Sequence, residues 1–353
     1  MNFSGGPSRF EEKNVTTETI SGVNIALNNQ YYCTSSWDGD VRCYGIQKNG
    51  NSLSSSPLSR IGVNSPATSC CWNAESTNIF CGTLGGKVYL WDVASNSTQP
   101  QEIAQHNRSI VSVSLNKAAN VLVTGSLDGD TRLYDVRSPT SCMNIQSNGS
   151  LTCLCNGVDQ TRLAVSNGRE TFEYDVRNPS QPYNYIKETE EDFVTMMAYS
   201  PSKYLAEGTL RGIVKVTFFN EADNLKKDGP TFRFRVGKRD NVQYTVSGIS
   251  VHNPTEGFLT GSSDGCLVLW DVFNRTKTST FEKGLSSNPN GISACAYSYD
   301  GSILVYAMGY NWDLGAPCTI NKAYKMDMAT HLYIHNGQDA NANKGVGTSF
   351  SRR

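Results

Sequence analysis

Four histidines and eleven cysteines are the residues of this 353-residue chain best suited to catalysis or metal binding. The histidines stand at His106, His252, His331 and His335, and none sits in a nucleophile or metalloenzyme motif. His331 and His335 share a strand face by their even spacing. That leaves a metal pair open beside the favoured reading of two solvated strand histidines. The cysteines include no Cys-x-x-Cys pair, and Cys70-Cys71 and Cys153-x-Cys155 fit adjacent and alternating strand positions. Reduced, mostly buried thiols of a cytosolic or nuclear protein are expected, with no metal and no cofactor. No glycine-rich phosphate cradle follows a strand and opens a helix. The expectation is a protein that is not an enzyme, with no catalytic residues.

Recognition chemistry is better represented. Between Arg211 and Arg239 stand eight cations, Arg211, Lys215, Lys226, Lys227, Arg233, Arg235, Lys238 and Arg239, against three acids, Glu221, Asp223 and Asp228. In a chain of formal net charge −1, this is a local basic patch. It reads either as a solvated surface or as a dock for acidic peptide side chains or nucleic-acid phosphate, through charge-assisted hydrogen bonds. Trp37 is the second candidate. It immediately precedes an Asp-Gly turn, where a large aromatic is either a peptide anchor or packs on a neighbouring element.

These residues are carried by repeated hairpins. The stretch 259–271, LTGSSDGCLVLWD, joins two short strands through Asp264-Gly265, a strong hairpin signal. Similar units occur at 33–44, 80–92 and 123–135, with weaker ones at 165–175 and 207–218. Their closing aromatics, Tyr44, Trp91, Tyr134, Tyr174, Phe218 and Trp270, are 47, 43, 40, 44 and 52 residues apart. The spacing is close to the roughly 40–45 residues of a WD40 propeller blade. A seventh unit fits 292–298, 303–308 and 331–335. The expected fold is all-β, a seven-bladed WD40 β-propeller over residues 14–336, with a flexible tail at 1–13 and a disordered one at 337–353. Residues 14–19 are expected to supply the outer strand of the last blade, 47–57 a loop, 221–239 a charged connection, and 310–329 an insertion in blade seven. In blade three, His106, Thr124, Asp128 and Tyr134 follow the order of a buried WD40 hydrogen-bonded set. They are read as structural partners rather than a catalytic dyad. In blade five, Ile213, Lys215 and Thr217 are expected on one face and Val214, Val216 and Phe218 on the other. The N-terminus has no apolar segment of signal-peptide type, and no run approaches the ~18 apolar residues of a membrane span.

Two stretches go beyond generic repeats. Residues 35–44, SSWDGDVRCY, and 232–239, FRFRVGKR, leading to 246–253, VSGISVHN, resemble a small WD-repeat group. It contains the nuclear-pore mRNA export factor (Rae/Gle type) and the Bub-type spindle-checkpoint protein. The resemblance covers most of 15–336. Residues 103–106, 292–301 and 306–313 are similar to the export factor, and 174–178 to the checkpoint member; the export factor is the favoured of the two. The resemblance implies an adaptor that binds an extended, Glu-containing peptide across the propeller face. That peptide comes from an FG-repeat nucleoporin in the export factor, or from checkpoint and kinetochore proteins in the other member. It implies a location at the nucleus, nuclear pore and cytoplasm. Trp37 matches the family's aromatic contact and Lys238 a basic one, with Arg239 beside it and Arg235 in the same segment. The basic residue that the family carries in blade five is replaced by Ile213, and Arg211 and Lys215 are expected to substitute for it. Direct RNA binding through the basic patch is the expectation from a different class.

Overall fold

A computed structural model describes residues 9–50, 52–136, 141–157, 161–187, 192–224, 229–236, 238–239, 242–283, 290–310 and 330–337. The chain is all-β and forms seven four-stranded antiparallel sheets. Six blades take their strands in sequence order, over 20–62, 67–105, 110–146, 153–187, 194–235 and 246–283. First strands of successive blades contact one another, and blade seven's contacts blade one's, so the sheets close into a ring. Closure protects strand edges that would otherwise be open to other chains. Among the described residues no helix is long and apolar enough to cross a membrane.

The Asp-Gly signal works through two local effects. The glycine takes positive φ, 80° at Gly265 and 91° at Gly129, where a Cβ would be strained. The aspartate carboxylate accepts the backbone N–H two residues on, Asp130 N to Asp128 Oδ1 at 3.0 Å and Cys266 N to Asp264 Oδ1 at 3.0 Å. In blade four, Asn167 Oδ1 accepts from Glu170 N at 2.8 Å and does the same work.

Packing between blades follows a second repeated feature. A Cβ added to Gly82 would lie 2.3 Å from Ile110 Cγ2 of the next blade, and Gly125, Gly208 and Gly261 meet Leu154, Val246 and Ile292 in the same way. A missing side chain on the second strand thus receives an apolar group from the neighbouring blade, at the close packing of protein interiors. The largest apolar cluster joins blades five and six, with Phe234 and Trp270 ring centroids 5.0 Å apart.

Several boundaries differ from the sequence expectation. The outer strand of blade seven is Arg9–Glu12, not 14–19, so the propeller begins inside the segment expected as a flexible tail. It pairs antiparallel with His331–Asn336 from Arg9↔His335 to Glu12↔Leu332, and Phe10 packs beside Leu332 and Ile334. Residues 14–19 instead lead into blade one, where Thr16 Oγ1 donates to Asp38 Oδ2 at 2.7 Å. The loop expected at 47–57 is the far end of a long hairpin, Asp40–Asn49 with Ser52–Gly62. Its Leu53 is buried, and Ser55 Oγ donates to Glu12 Oε2 at 2.9 Å, which fixes the closing strand from a second side. The charged connection at 221–239 contains blade five's fourth strand, Thr231–Arg235, whose Phe232 and Phe234 point into the core. Both expected faces of the third strand, Ile213–Phe218, are covered, because Lys215 is itself buried. The strands assigned to blade seven run Asn290–Tyr297, Ile303–Tyr310 and His331–Asn336. Most of the expected insertion and of the C-terminal tail, 311–329 and 338–353, lies outside the described residues.

Candidate peptide-binding face

Within each of blades one to six the turn between second and third strands lies on one face of the ring, and the turn between first and second strands lies on the other. Trp37 occupies the first kind of turn, and its backbone N–H donates to Thr19 O at 3.1 Å. The equivalent bond recurs as Leu84 N to Pro66 O, Leu127 N to Ser109 O and Leu210 N to Phe193 O, at 2.8, 2.9 and 2.9 Å. Trp37, Leu84, Leu127 and Leu210 therefore hold the same position in blades one, two, three and five. Their exposures are 46%, 42%, 38% and 54%, with Phe193 at 37%. Four large apolar side chains are thus exposed at one repeated position on a single face, an arc interrupted by Asn167 in blade four.

Sequence reasoning found Trp37 and missed the leucines. The signal was in the repeats: Ser36-Trp37, Thr83-Leu84, Ser126-Leu127 and Thr209-Leu210 each put an apolar residue after a small hydroxyl residue and before the turn.

The turn under Trp37 is braced by ion pairs. Arg42 Nη2 lies 2.6 Å from Asp38 Oδ2 and 3.0 Å from Asp40 Oδ2. Burial pushes the Asp38 carboxyl up, but the bonds from Arg42, Thr16 and the Asp40 N–H outweigh it and hold the group below its ordinary range. Asp38 is thus an ionised support for the turn.

The basic residues divide. Arg211 is exposed in the turn of blade five, next to Leu210. Arg235 is exposed on the fourth strand and stands directly opposite Ile213 in the register. Lys215 does not join them. Its side chain is only 6% exposed, and its Nζ lies 3.3 Å from Oε2 of the fully buried Glu207 on the adjacent strand. The substitution expected of Arg211 and Lys215 is corrected to that extent: the cation nearest the Ile213 position on the strand face is Arg235. The backbone of Lys238 and Arg239 forms a two-residue strand with Val242–Gln243. The side chains of Lys238 and Arg239 lie outside the described residues, as do Lys226 and Lys227.

The histidines hold structural contacts, His106 beneath the Leu127 turn itself. His106 Nε2 is 2.9 Å from Thr124 Oγ1, and Asn107 N donates to Asp128 Oδ2 at 2.8 Å. His106 Nδ1 is 3.6 Å from Asp128 Oδ2. Burial and the Arg132 charge lower the His106 pKa, so the ring is neutral at pH 7. Tyr134 is buried opposite Leu122, while Thr124 Oγ1 faces the Arg132 carbonyl at 3.5 Å. In blade six the corresponding tryptophan completes the set, Trp270 Nε1 donating to Thr260 Oγ1 at 2.8 Å. His106, Asp128 and Asp130 place ligand atoms within 4.8 Å of one another. Arg132 Nη2 already compensates Asp130 at 3.1 Å, which makes the group an ion-paired brace poorly suited to a cation. The structure does not bring His331 and His335 to one ligand: His331 Nδ1 lies 2.7 Å from Glu11 Oε1, and His335 Nδ1 lies 2.7 Å from Asn336 O.

Three segments, 55–92, 97–135 and 238–271, match the family model for the WD domain, G-beta repeat. The chain is 27% identical over 333 residues to Protein Rae1 of Drosophila melanogaster, covering 87% of this chain and 89% of that protein. It is 28% identical over 327 residues to the mRNA export factor of Xenopus tropicalis, covering 89% and 84%. To the mRNA export factor of Danio rerio it is 28% identical over 318 residues, covering 86% and 82%. These similarities cover most of the chain, which carries WD40 repeats and is similar along its length to the mRNA export factors.

Proposed function

We propose that the chain serves nuclear mRNA export as a non-catalytic scaffold at the nucleus and nuclear pore, capturing a Glu-containing peptide segment of an FG-repeat nucleoporin. The observation that carries this reading is the apolar arc of Trp37, Leu84, Leu127 and Leu210, which ends beside the exposed Arg211 and Arg235. An extended peptide places apolar side chains on the arc and its glutamates at the blade-five cations, with charge-assisted bonds setting its direction. Relatives named mRNA export factor support the process. Trp37, Arg211 and Arg235 are assigned to the peptide; Lys238 and Arg239 are assigned on the family resemblance.

The test is calorimetric titration with a Glu-containing nucleoporin segment. Trp37→Ala and Arg211→Glu should each weaken binding about tenfold or more with circular dichroism unchanged. Unchanged affinity in both would remove this site. If the dominant partner recovered from cells is a checkpoint or kinetochore protein, the peptide's source changes and the export role falls. A contact dominated by RNA phosphate would instead lose affinity steeply with salt.

A further inference from the structure

The arc of exposed apolar residues has a gap at blade four, and a hollow lies in it. Blade four carries Asn167 where blades one, two, three and five carry Trp37, Leu84, Leu127 and Leu210. Its turn is also tight, with Asn167 N donating to Glu170 O at 3.1 Å and Gly168 at φ 91°. The hollow measures about 420 Å³. It lies between this turn, residues 148–150, which lead from blade three to blade four, and Phe193 at the entry to blade five. Three contacts fix its walls. The Phe193 ring lies over Gly168, where a Cβ would come within 2.4 Å of the ring atoms, so glycine is what lets the ring settle there. Asn167 Nδ2 donates to Asn148 O at 3.0 Å and ties the linker to the turn. Val194 N donates to Gly168 O at 2.7 Å and ties blade five to the same turn.

The chemistry of the hollow narrows its occupant. The exposed walls are mainly apolar, and no lining residue holds a buried polar atom without a partner. A small anion therefore finds no buried donor there, and Arg169 and Lys187 at the rim repel a cation. The Glu170 carboxylate is already engaged, by the Tyr185 hydroxyl at 2.7 Å and Asn167 Nδ2 at 3.2 Å. Arg169 is exposed, and among the described residues no hydrogen bond or ion pair holds its guanidinium. Lys187 is followed in the sequence by Glu188, so the rim's free positive charge rests on Arg169. The hollow also joins the rest of the face, because Phe193 O accepts from Leu210 N at 2.9 Å, next to Arg211.

We infer that this hollow is a side-chain pocket for one bulky apolar residue of the captured peptide, leucine, methionine or phenylalanine in type, with an acidic neighbour at Arg169. The inference rests on the peptide reading above. At four other blades the face presents its own apolar side chain; at blade four it receives one, and this reversal fixes the peptide's register. Phe193 is both the pocket wall and the partner of Leu210. The pocketed residue therefore lies within about four residues of the glutamate that meets Arg211, at ~3.3 Å per extended residue.

The experiment is calorimetric titration of the full chain with the Glu-containing nucleoporin segment, and with versions in which each large apolar residue is replaced by alanine in turn. Ser150→Trp, a substitution at an exposed loop position, plugs the pocket. It should weaken the unmodified segment about tenfold. It should add nothing to the loss caused by one alanine replacement, at a position within about four residues of a glutamate. Arg169→Gln should weaken binding severalfold. Losses that add at every position overturn the inference, as does full affinity in Ser150→Trp or in Arg169→Gln. If Ser150→Trp binds fully while Trp37→Ala weakens binding, the pocket falls and the face stands. If the wild-type chain does not bind the segment, or Trp37→Ala and Arg211→Glu both leave it unchanged, the peptide reading falls and the pocket with it.

Discussion

Lys215→Met separates the two roles this residue could have. Lys215 and Glu207 have side chains 6% and 0% exposed with 3.3 Å between their charged atoms, and Thr171 Oγ1 donates to the other Glu207 oxygen at 2.7 Å. Methionine keeps the stem and removes the charge, which leaves a buried carboxylate without its counter-ion. Breaking such a pair costs about 3–5 kcal/mol. For 353 residues, an unfolding entropy of about 2.1 cal/mol/K per residue gives ~0.74 kcal/mol/K, so the melting temperature should fall by about 4–7 °C. Lys215→Met with Glu207→Gln, which removes both charges, should recover more than half of that loss. Differential scanning calorimetry reads the stability, and peptide titration of the folded variants reads the face. Nucleoporin-peptide affinity should stay within about twofold of wild type, since the pair lies inside the blade. A variant that melts like wild type but loses the peptide would refute the reasoning and return Lys215 to the binding surface.

Deleting residues 1–13 should lower the melting temperature and promote aggregation measured by light scattering, because it strips the outer strand from His331–Asn336 and opens an edge. An unchanged melt would show that the segment is dispensable. Burial lowers the pKa of both His106 and His252 below the ordinary value near 6.5. As pH falls below about 6.5 the unfolded chain binds protons that the fold does not, so stability falls, by up to about 1.4 kcal/mol per pH unit for each group. Urea melts at pH 7.5 and 5.5 should show that loss, and His106→Gln should reduce it by about half. Trp270→Phe removes the Nε1 donor from the buried Thr260 hydroxyl and should cost about 1–3 kcal/mol by denaturant titration; a neutral result would mean that Thr260 is satisfied elsewhere.

Fold and site were legible to different degrees for physical reasons. The Asp-Gly turns and closing aromatics act within a few residues, so blades two, three and six were readable directly. The outer strands were not, because Arg9–Glu12 carries little pattern and its partner is more than 300 residues away. The hairpin of blade one was hidden by its serines and asparagines, which read as a loop although Ser55 is buried against Tyr32 and Glu12. Trp37 stood out by its size and its place before an Asp-Gly turn. Leu84, Leu127 and Leu210 became meaningful only once a common turn geometry placed them on one face. Lys215 was misjudged because alternation gives the face of a strand but not what covers it, and Glu207 on the adjacent strand does so.

The pairing of Arg9–Glu12 with His331–Asn336 also sets a clock on synthesis. The first strand leaves the ribosome more than 300 residues before its partner, and at roughly 5–20 residues per second that interval is on the order of 15–65 s. Blades one to six can assemble as they emerge, each from contiguous sequence, while the end that must close the ring stays unpaired. Over that interval the nascent molecule is an open spiral with an unsatisfied edge at each end, the state most exposed to capture by another copy of itself. Phe10 and its neighbours find their partner strand only once residue 336 has been added.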